Sequence, residues 1–435
     1  MPKVDTGDTT FVLLSAALVM LMTPGLAFFY GGLVRQKNAL NTMMMSFVAM
    51  GLVGVAWIVV GYSLAFSHGP GKLDPYIGGL SYLGLHGVDG APNADYAATV
   101  PQTAFMLYQC MFAVITPALI SGAVAERMRF SAYVIFCLAW SILVYCPVAH
   151  WVWSPNGWVH ALGALDFAGG TVVHINAGVA ALVAAILVGK RKGFPKAAIV
   201  PHNIPFALLG TGLLWFGWLG FNGGSALTAG GLAGSAYVAT FAAAASAALA
   251  WVLLDQIFAG HMTAVGFASG AVAGLVAITP ASGYVGPMAS LALGVAASGV
   301  SFFAIRLKAR FGFDDALDVF GIHGVSGMLG ALGTGVFASL AINSTGADGS
   351  LKLVGIQAIA VASTLVYSGV LSFVLLKAIG ALIPLRVDEG AEFDGVDISE
   401  HGERGYSAGD TGSVFSPHGH GTPGPELATR EHSVA

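Results

Sequence analysis

Two histidines stand in otherwise apolar stretches. His174 lies in Gly169-Gly170-Thr171-Val172-Val173-His174-Ile175-Asn176-Ala177-Gly178, and His323 in Gly321-Ile322-His323-Gly324-Val325-Ser326-Gly327. Small residues around each let helix backbones approach closely. A neutral imidazole has one donor and one acceptor, so a hydrogen-bonded pair can line a narrow passage and can accept and pass a proton. An ionisable group at the centre of a spanning helix costs about 2.5–3.5 kcal/mol on insertion scales, so it needs a partner or a purpose. A lone buried histidine is usually structural; two at matching places in two halves of a chain favour function. Each follows an aspartate, Asp166 and Asp318. Asp166 can cap a helix by accepting backbone N–H bonds, stabilise a nearby cation, or both. Asp318 reads as the parallel, structural case. Glu126 and Asp255 fall at the ends of apolar runs, where solvated or interhelical contacts are the default.

The aromatic residues suggest a cation. Trp153 and Trp158 lie on the predicted outer side after the fourth apolar run, Phe112 lies in the third, and Trp218, Phe221 and Ser225 fall close together in the sixth. Singly, each is an ordinary interfacial anchor. Converging ring faces beside a hydroxyl would hold a small cation, each ring contributing about 0.5–2 kcal/mol.

These residues must be positioned by membrane helices. Only 9% of the 435 residues are charged and 56% are hydrophobic, with a mean hydropathy of +0.77. A soluble domain carries about a quarter of its residues as charges. A span needs about 20 apolar residues, and runs near 10–33, 40–66, 101–125, 130–151, 166–189, 202–223, 232–256, 261–279, 284–306, 317–341 and 353–384 meet that ruler. The expectation is an all-α integral membrane protein of eleven transmembrane helices. The first run lacks a basic leader and continues past Pro24, which reads as a retained span.

Lys and Arg gather after the first, third, fifth and ninth runs, as Arg35, Lys37, Arg127, Arg129, Lys190, Arg191, Lys192, Lys196, Arg306, Lys308 and Arg310. Basic loops mark the cytoplasmic side, placing the N-terminus outside and the C-terminus inside. Residues 1–384 then form the membrane domain and 385–435 a cytoplasmic tail, ordered near 386–406 and disordered after. His418 and His420 in that tail read as solvated, not as metal ligands.

Cys110, Cys137 and Cys146 all sit in apolar runs without CxxC spacing, as small core residues. No metal or cofactor is expected, and no basic cluster suggests nucleic acid. HExxH, a nucleophile elbow and a phosphate-binding glycine loop are missing, so an enzyme finds little support.

The first and sixth runs share paired glycines, Phe28-Phe29-Tyr30-Gly31-Gly32 beside Phe221-Asn222-Gly223-Gly224, as the fifth and tenth share Asp166…His174 and Asp318…His323. Five spans separate each pair, so the pattern predicts an inverted five-helix repeat plus an extra C-terminal helix, with the pathway at the repeat interface.

The stretch Asp166–Gly178, running on to Gly189-Lys190-Arg191, resembles the signature of the Amt/Mep/Rh ammonium transporters, in the texture of the bacterial Amt branch. Gly122-Ala123-Val124-Ala125-Glu126-Arg127, Trp218-Leu219-Gly220-Phe221-Asn222-Gly223-Gly224-Ser225-Ala226 and Asp318-Val319-Phe320-Gly321-Ile322-His323-Gly324 extend the likeness over about 10–406. The resemblance implies a homotrimer in a bacterial inner membrane, each subunit with its own pore for ammonium or ammonia, and methylammonium as an analogue. It implies an outer recruitment site on Phe112, Trp153 and Ser225 with Asp166 behind it and Trp218 as an additional vestibule residue. The gate phenyls would be Phe112 and Phe221, and the pore and proton-relay residues His174 and His323. Trp153-Ser154-Pro155-Asn156-Gly157-Trp158 replaces the family's glycine run, so Trp151 and Trp158 stay open as alternatives to Trp153. Tyr108 stands where a second gate phenylalanine is common. The stretch Asp394–Glu403 resembles the family's ordered tail, which implies a PII-type signalling protein as partner. Rival readings are an ammonium sensor with little flux and a channel for another small neutral molecule.

Overall fold

A computed structural model describes residues 3–196 and 199–406. The helices in chain order are α1 (Thr6–Leu33), α2 (Gln36–Phe66), α3 (Gln102–Val124), α4 (Phe130–Ala161), α5 (Gly170–Val188), α6 (Ile204–Ala226), α7 (Gly231–Ala259), α8 (Ala264–Ile278), α9 (Pro287–Phe311), α10 (Phe320–Phe337) and α11 (Leu351–Leu382). Ten are long and apolar enough to cross a membrane; α8, at the eighth predicted run, is apolar but shorter. Two short helices, α12 (Glu389–Asp394) and α13 (Val396–His401), lie in the tail. No strand forms among the described residues. The sequence beyond residue 406, with His418 and His420, lies outside the described residues.

The two halves meet through close, antiparallel contacts between matching helices. Along α1 and α6, Gly32 faces Asn203 and Ala207, Gly25 faces Leu214, and Gly220 faces Ser15. A Cβ on Gly32 would sit 2.6 Å from the Ala207 nitrogen, so only hydrogen fits there. Along α5 and α10, Gly178 faces Gly324 and Gly327 faces Ile175. Small residues thus let the backbones touch where hydrophobic collapse between helices gives no help. Both α5 and α10 open with a π-helical turn, Gly170–Ile175 and Phe320–Gly324, and each histidine lies in that turn. Wide turns of this kind recur at functional sites.

The structure corrects the register of the repeat. The residue preceding α5 with a left-handed backbone is Gly169 (φ 109°), and before α10 it is Asp318 (φ 62°). Asp318 therefore occupies the place of Gly169, and its carboxylate pairs with Lys308. The counterpart of Asp166 is Asp315, which is buried and accepts the Phe320 N–H at 2.7 Å. Asp166 and Asp315 each precede their histidine by the same number of residues.

Basic loops and tail gather at one end. Glu126 is not solvated there: it is fully buried, accepts from the Arg35 backbone at 2.7 Å and Nε at 3.0 Å, and pairs with Arg191 at 3.1 Å. Arg191 also pairs with Asp314 at 2.8 Å. Asp255 is buried too, accepting the Thr263 hydroxyl. The tail closes this end by capping helices whose first N–H groups lack partners. Asp397 accepts from the backbone of Leu40 and Asn41 in α2, and Glu400 from Phe130 at the start of α4.

Candidate functional site

At the end away from the tail, a pocket of about 140 Å³ is lined by Phe112, Trp153, Ser225, Asp95, Tyr96 and Gln109, among others. Phe112 comes from α3, Trp153 from α4 and Ser225 from the last turn of α6. The Trp153 indole stands perpendicular to the Phe112 ring at 5.8 Å and donates to the Asp166 carbonyl at 3.0 Å. That bond orients its face. Trp151 instead donates to the Tyr76 carbonyl and packs on Tyr367 and Trp158, so Trp153 is the tryptophan of the pocket. Gln109 gave no signal in the sequence, being one amide in an apolar run. It lines the pocket, and its Oε1 is buried without a hydrogen-bond partner among the described residues.

Beneath this pocket Phe112 and Phe221 lie ring against ring at 4.2 Å, tilted by 34°. Both are buried. Tyr108, one turn before Phe112, meets the Phe112 ring edge-on at 4.9 Å. Its hydroxyl sits 2.7 Å from the Phe221 carbonyl, 3.0 Å from that of Gly220 and 3.2 Å from Ser225 Oγ. It ties α3 to the end of α6 and thereby holds Phe221 against Phe112.

On the other side of Phe221 is a second, narrow pocket lined by His174, His323, Trp218 and apolar side chains that include Leu26, Ile115 and Val272. Its free volume is about 10 Å³, roughly the room of one water-sized molecule. The imidazoles stack at 5.3 Å with their Nδ1 atoms 3.3 Å apart. Trp218 lies here and not in the upper pocket. It stacks on His174 at 5.2 Å and is anchored by its indole N–H on Thr279 at 2.8 Å. Nδ1 to Nδ1 contact between neutral rings needs one hydrogen between them, so the rings hold opposite tautomers. His174 Nε2 is buried without a partner among the described residues.

Asp166 lies between the two pockets in chain order, but its carboxylate faces the backbone. Oδ1 accepts from Gly169 at 2.9 Å and Gly170 at 2.7 Å, and Oδ2 from Thr171 at 2.8 Å and Val172 at 3.2 Å. Four bonds hold the turn that carries His174. The arrangement offers rings and a hydroxyl to a small cation, a ring barrier, and then an apolar passage whose polar groups are two imidazoles.

Comparison with known proteins agrees with this architecture. The family model described as the ammonium transporter family matches residues 10–406. An ammonium transporter of Bacillus subtilis is 49% identical over 405 residues, covering 92% of this chain and 98% of the relative. The crystal structure of Saccharomyces cerevisiae Mep2 superposes with a TM-score of 0.83 at 37% identity, covering 89% of each chain. A structure described as a sensor Amt protein matches with a TM-score of 0.83 at 30% identity, over 91% of this chain and 98% of that one. With its helices, its paired histidines and these relatives, the chain is a multi-pass protein of the cell membrane and belongs to the ammonium transporter family.

Proposed function

We propose that the chain moves ammonium across the membrane by recruiting the ion in the upper pocket, removing its proton and passing ammonia along the histidine-lined passage. The carrying observation is the Phe112–Phe221 stack at 4.2 Å, which separates a cation-binding pocket from an apolar one. Ammonium brings a positive charge and four N–H donors, which suit ring faces, the Ser225 hydroxyl and the Gln109 carbonyl oxygen. Potassium has nearly the same size and charge, so binding alone would select poorly. A bare ion pays heavily to enter an apolar passage. Ammonium can leave its proton behind, and potassium cannot.

Asp166 serves this reading by shape and net charge; its lone pairs are occupied by four N–H bonds, so it is a poor base. His174 supplies a better acceptor. With Nε2 free to take a proton, its Nδ1–H is donated to Nδ1 of His323, which carries its own hydrogen on Nε2. A proton taken at one end of the pair can then leave at the other as ammonia passes. Finer features belong to the same reading: eleven spans with α8 completing the set, the tail end in the cytoplasm, a homotrimer with one pore per subunit, and a PII-type partner on the tail face.

The test is a current recorded from reconstituted protein on a solid-supported membrane after ammonium, methylammonium, potassium and sodium jumps. An ammonium-specific current that weakens in His174→Ala or His323→Ala supports the reading. The likeness to a sensor protein makes the rival concrete. Silence under every cation, with no alkalisation of a pH dye inside the vesicles, would assign the chain to sensing instead.

A further inference from the structure

We propose that Asp95, at the rim of the upper pocket, is the carboxylate that draws the cation into that pocket, and that His68 switches this attraction off when it becomes protonated. The inference rests on the reading of the upper pocket as a cation site. Among the residues lining that pocket Asp95 is the charged one. It is half exposed, and its side chain makes no hydrogen bond among the described residues. Asp166, the carboxylate the sequence singles out, is turned inward onto four backbone N–H groups, and their dipoles offset its charge. An acidic group at the mouth of a cleft with low-dielectric walls focuses its field on the opening and raises the local concentration of cations.

The ionic neighbour of Asp95 is His68, whose Nε2 lies 3.6 Å from Oδ2. The other ring nitrogen, Nδ1, lies 2.7 Å from the Asn156 amide nitrogen. An amide donates there, so Nδ1 accepts and the neutral ring carries its hydrogen on Nε2, facing the carboxylate. In this state the aspartate keeps its full charge. Protonation must disturb the Asn156 bond and places a positive charge beside Asp95, cancelling its field at the rim. The other titratable groups near this loop have partners of their own. Asp74 accepts the Gly69 N–H, His150 contacts the carbonyls of Ala65 and Asp74, Tyr82 accepts from Asn93, and the Tyr96 hydroxyl donates to Ser154. The imidazole of His68 is thus the basic ring that faces Asp95 at this rim. Ammonium itself stays protonated from neutral to mildly acidic pH, so the substrate does not change.

The test is calorimetric titration of the purified full-length protein with methylammonium, beside the currents on the same preparation. At about pH 7.5 and low salt, Asp95→Asn should weaken binding roughly three- to five-fold, the scale of one partly screened charge. Asp95→Glu should restore most of it, and added salt should shrink the difference. Lowering the pH to about 5.5 should weaken binding in the wild type and leave His68→Asn nearly unchanged. Equal affinity of Asp95→Asn and wild type would overturn the proposal, as would pH dependence that survives in His68→Asn or a protein that binds no methylammonium. Because binding is read without flux, these results stand apart from the transport reading: a silent membrane with intact, Asp95-dependent binding would refute transport and leave this proposal in place.

Discussion

Replacing Asp166 by asparagine separates its two possible roles, holding the turn and attracting the cation. Asparagine keeps one oxygen, which can serve Gly169 and Gly170 as Oδ1 does at 2.9 and 2.7 Å. Its NH2 group then faces the N–H groups of Thr171 and Val172, which now donate to Oδ2 at 2.8 and 3.2 Å. Two charge-assisted bonds at roughly 1.5–3 kcal/mol each are lost, and two buried donors are left facing a third. After local relaxation a cost of about 3 kcal/mol or more is expected. At about 1.4 kcal/mol per tenfold, that is on the order of a hundredfold in the folded ratio. Thermal melting of the protein in detergent should fall by roughly 3–5 °C. Asp166→Ala, which loses all four bonds, should fall further. If both variants melt with the wild type while ammonium currents vanish, the capping argument is refuted and the carboxylate acts through its charge alone.

Phe221→Ala removes one half of the 4.2 Å ring stack, and potassium jumps that are silent in the wild type should then give a current; continued silence would show that the rings are not the barrier. His174→Ala breaks the 3.3 Å imidazole contact and should abolish ammonium-driven charge movement with little loss of melting temperature, whereas an unchanged rate and unchanged potassium exclusion would sink the relay. Burial alone would raise Glu126, but Arg35 and Arg191 hold it below the usual carboxylate value, and Arg191 does the same for buried Asp314. A lowered folded value means the stabilisation is complete above about pH 4, the ordinary carboxylate range, and is lost as the pH falls below it through the folded values. Tryptophan fluorescence during acid titration should show that loss in the wild type. Glu126→Gln, which leaves the Arg35 guanidinium without its carboxylate and Arg191 with Asp314 alone, should be less stable by about 3 kcal/mol at neutral pH with a weaker acid dependence.

Much of this molecule was legible along the chain. The apolar runs correspond to helices α1–α11 within a few residues, except that α4 runs on to Ala161, because hydropathy is a local sum over about twenty positions and no distant contact is needed to evaluate it. His174 and His323 were legible for the converse reason, as polar groups that lipid-facing helices do not tolerate without cause. The clustering of Arg35, Arg191 and Lys308 at one end followed from loop charges alone. The eighth helix was legible in place but not in length, since α8 is only the fifteen residues Ala264–Ile278.

What the chain order could not decide was which groups meet through space. The motif likeness paired Asp166 with Asp318, yet the left-handed backbone that Gly169 adopts freely is at Asp318 in the second half, and Asp315 takes the capping role. Of three tryptophans within eight positions the resemblance favoured Trp153 and left Trp151 and Trp158 open; in the fold Trp153 lines the pocket, its indole donating to the Asp166 carbonyl. Trp218 moved from the mouth to the histidines because α6 turns that face toward Thr279. Tyr108 became a clamp because its hydroxyl reaches the end of α6. The chain alone determined that two imidazoles are buried in a membrane; the packing of α5 against α10 through glycines decided that they touch. A hydrogen bond between residues 149 positions apart depends on a few tenths of an ångström in helix separation, and that distance is set by every small side chain along both helices at once.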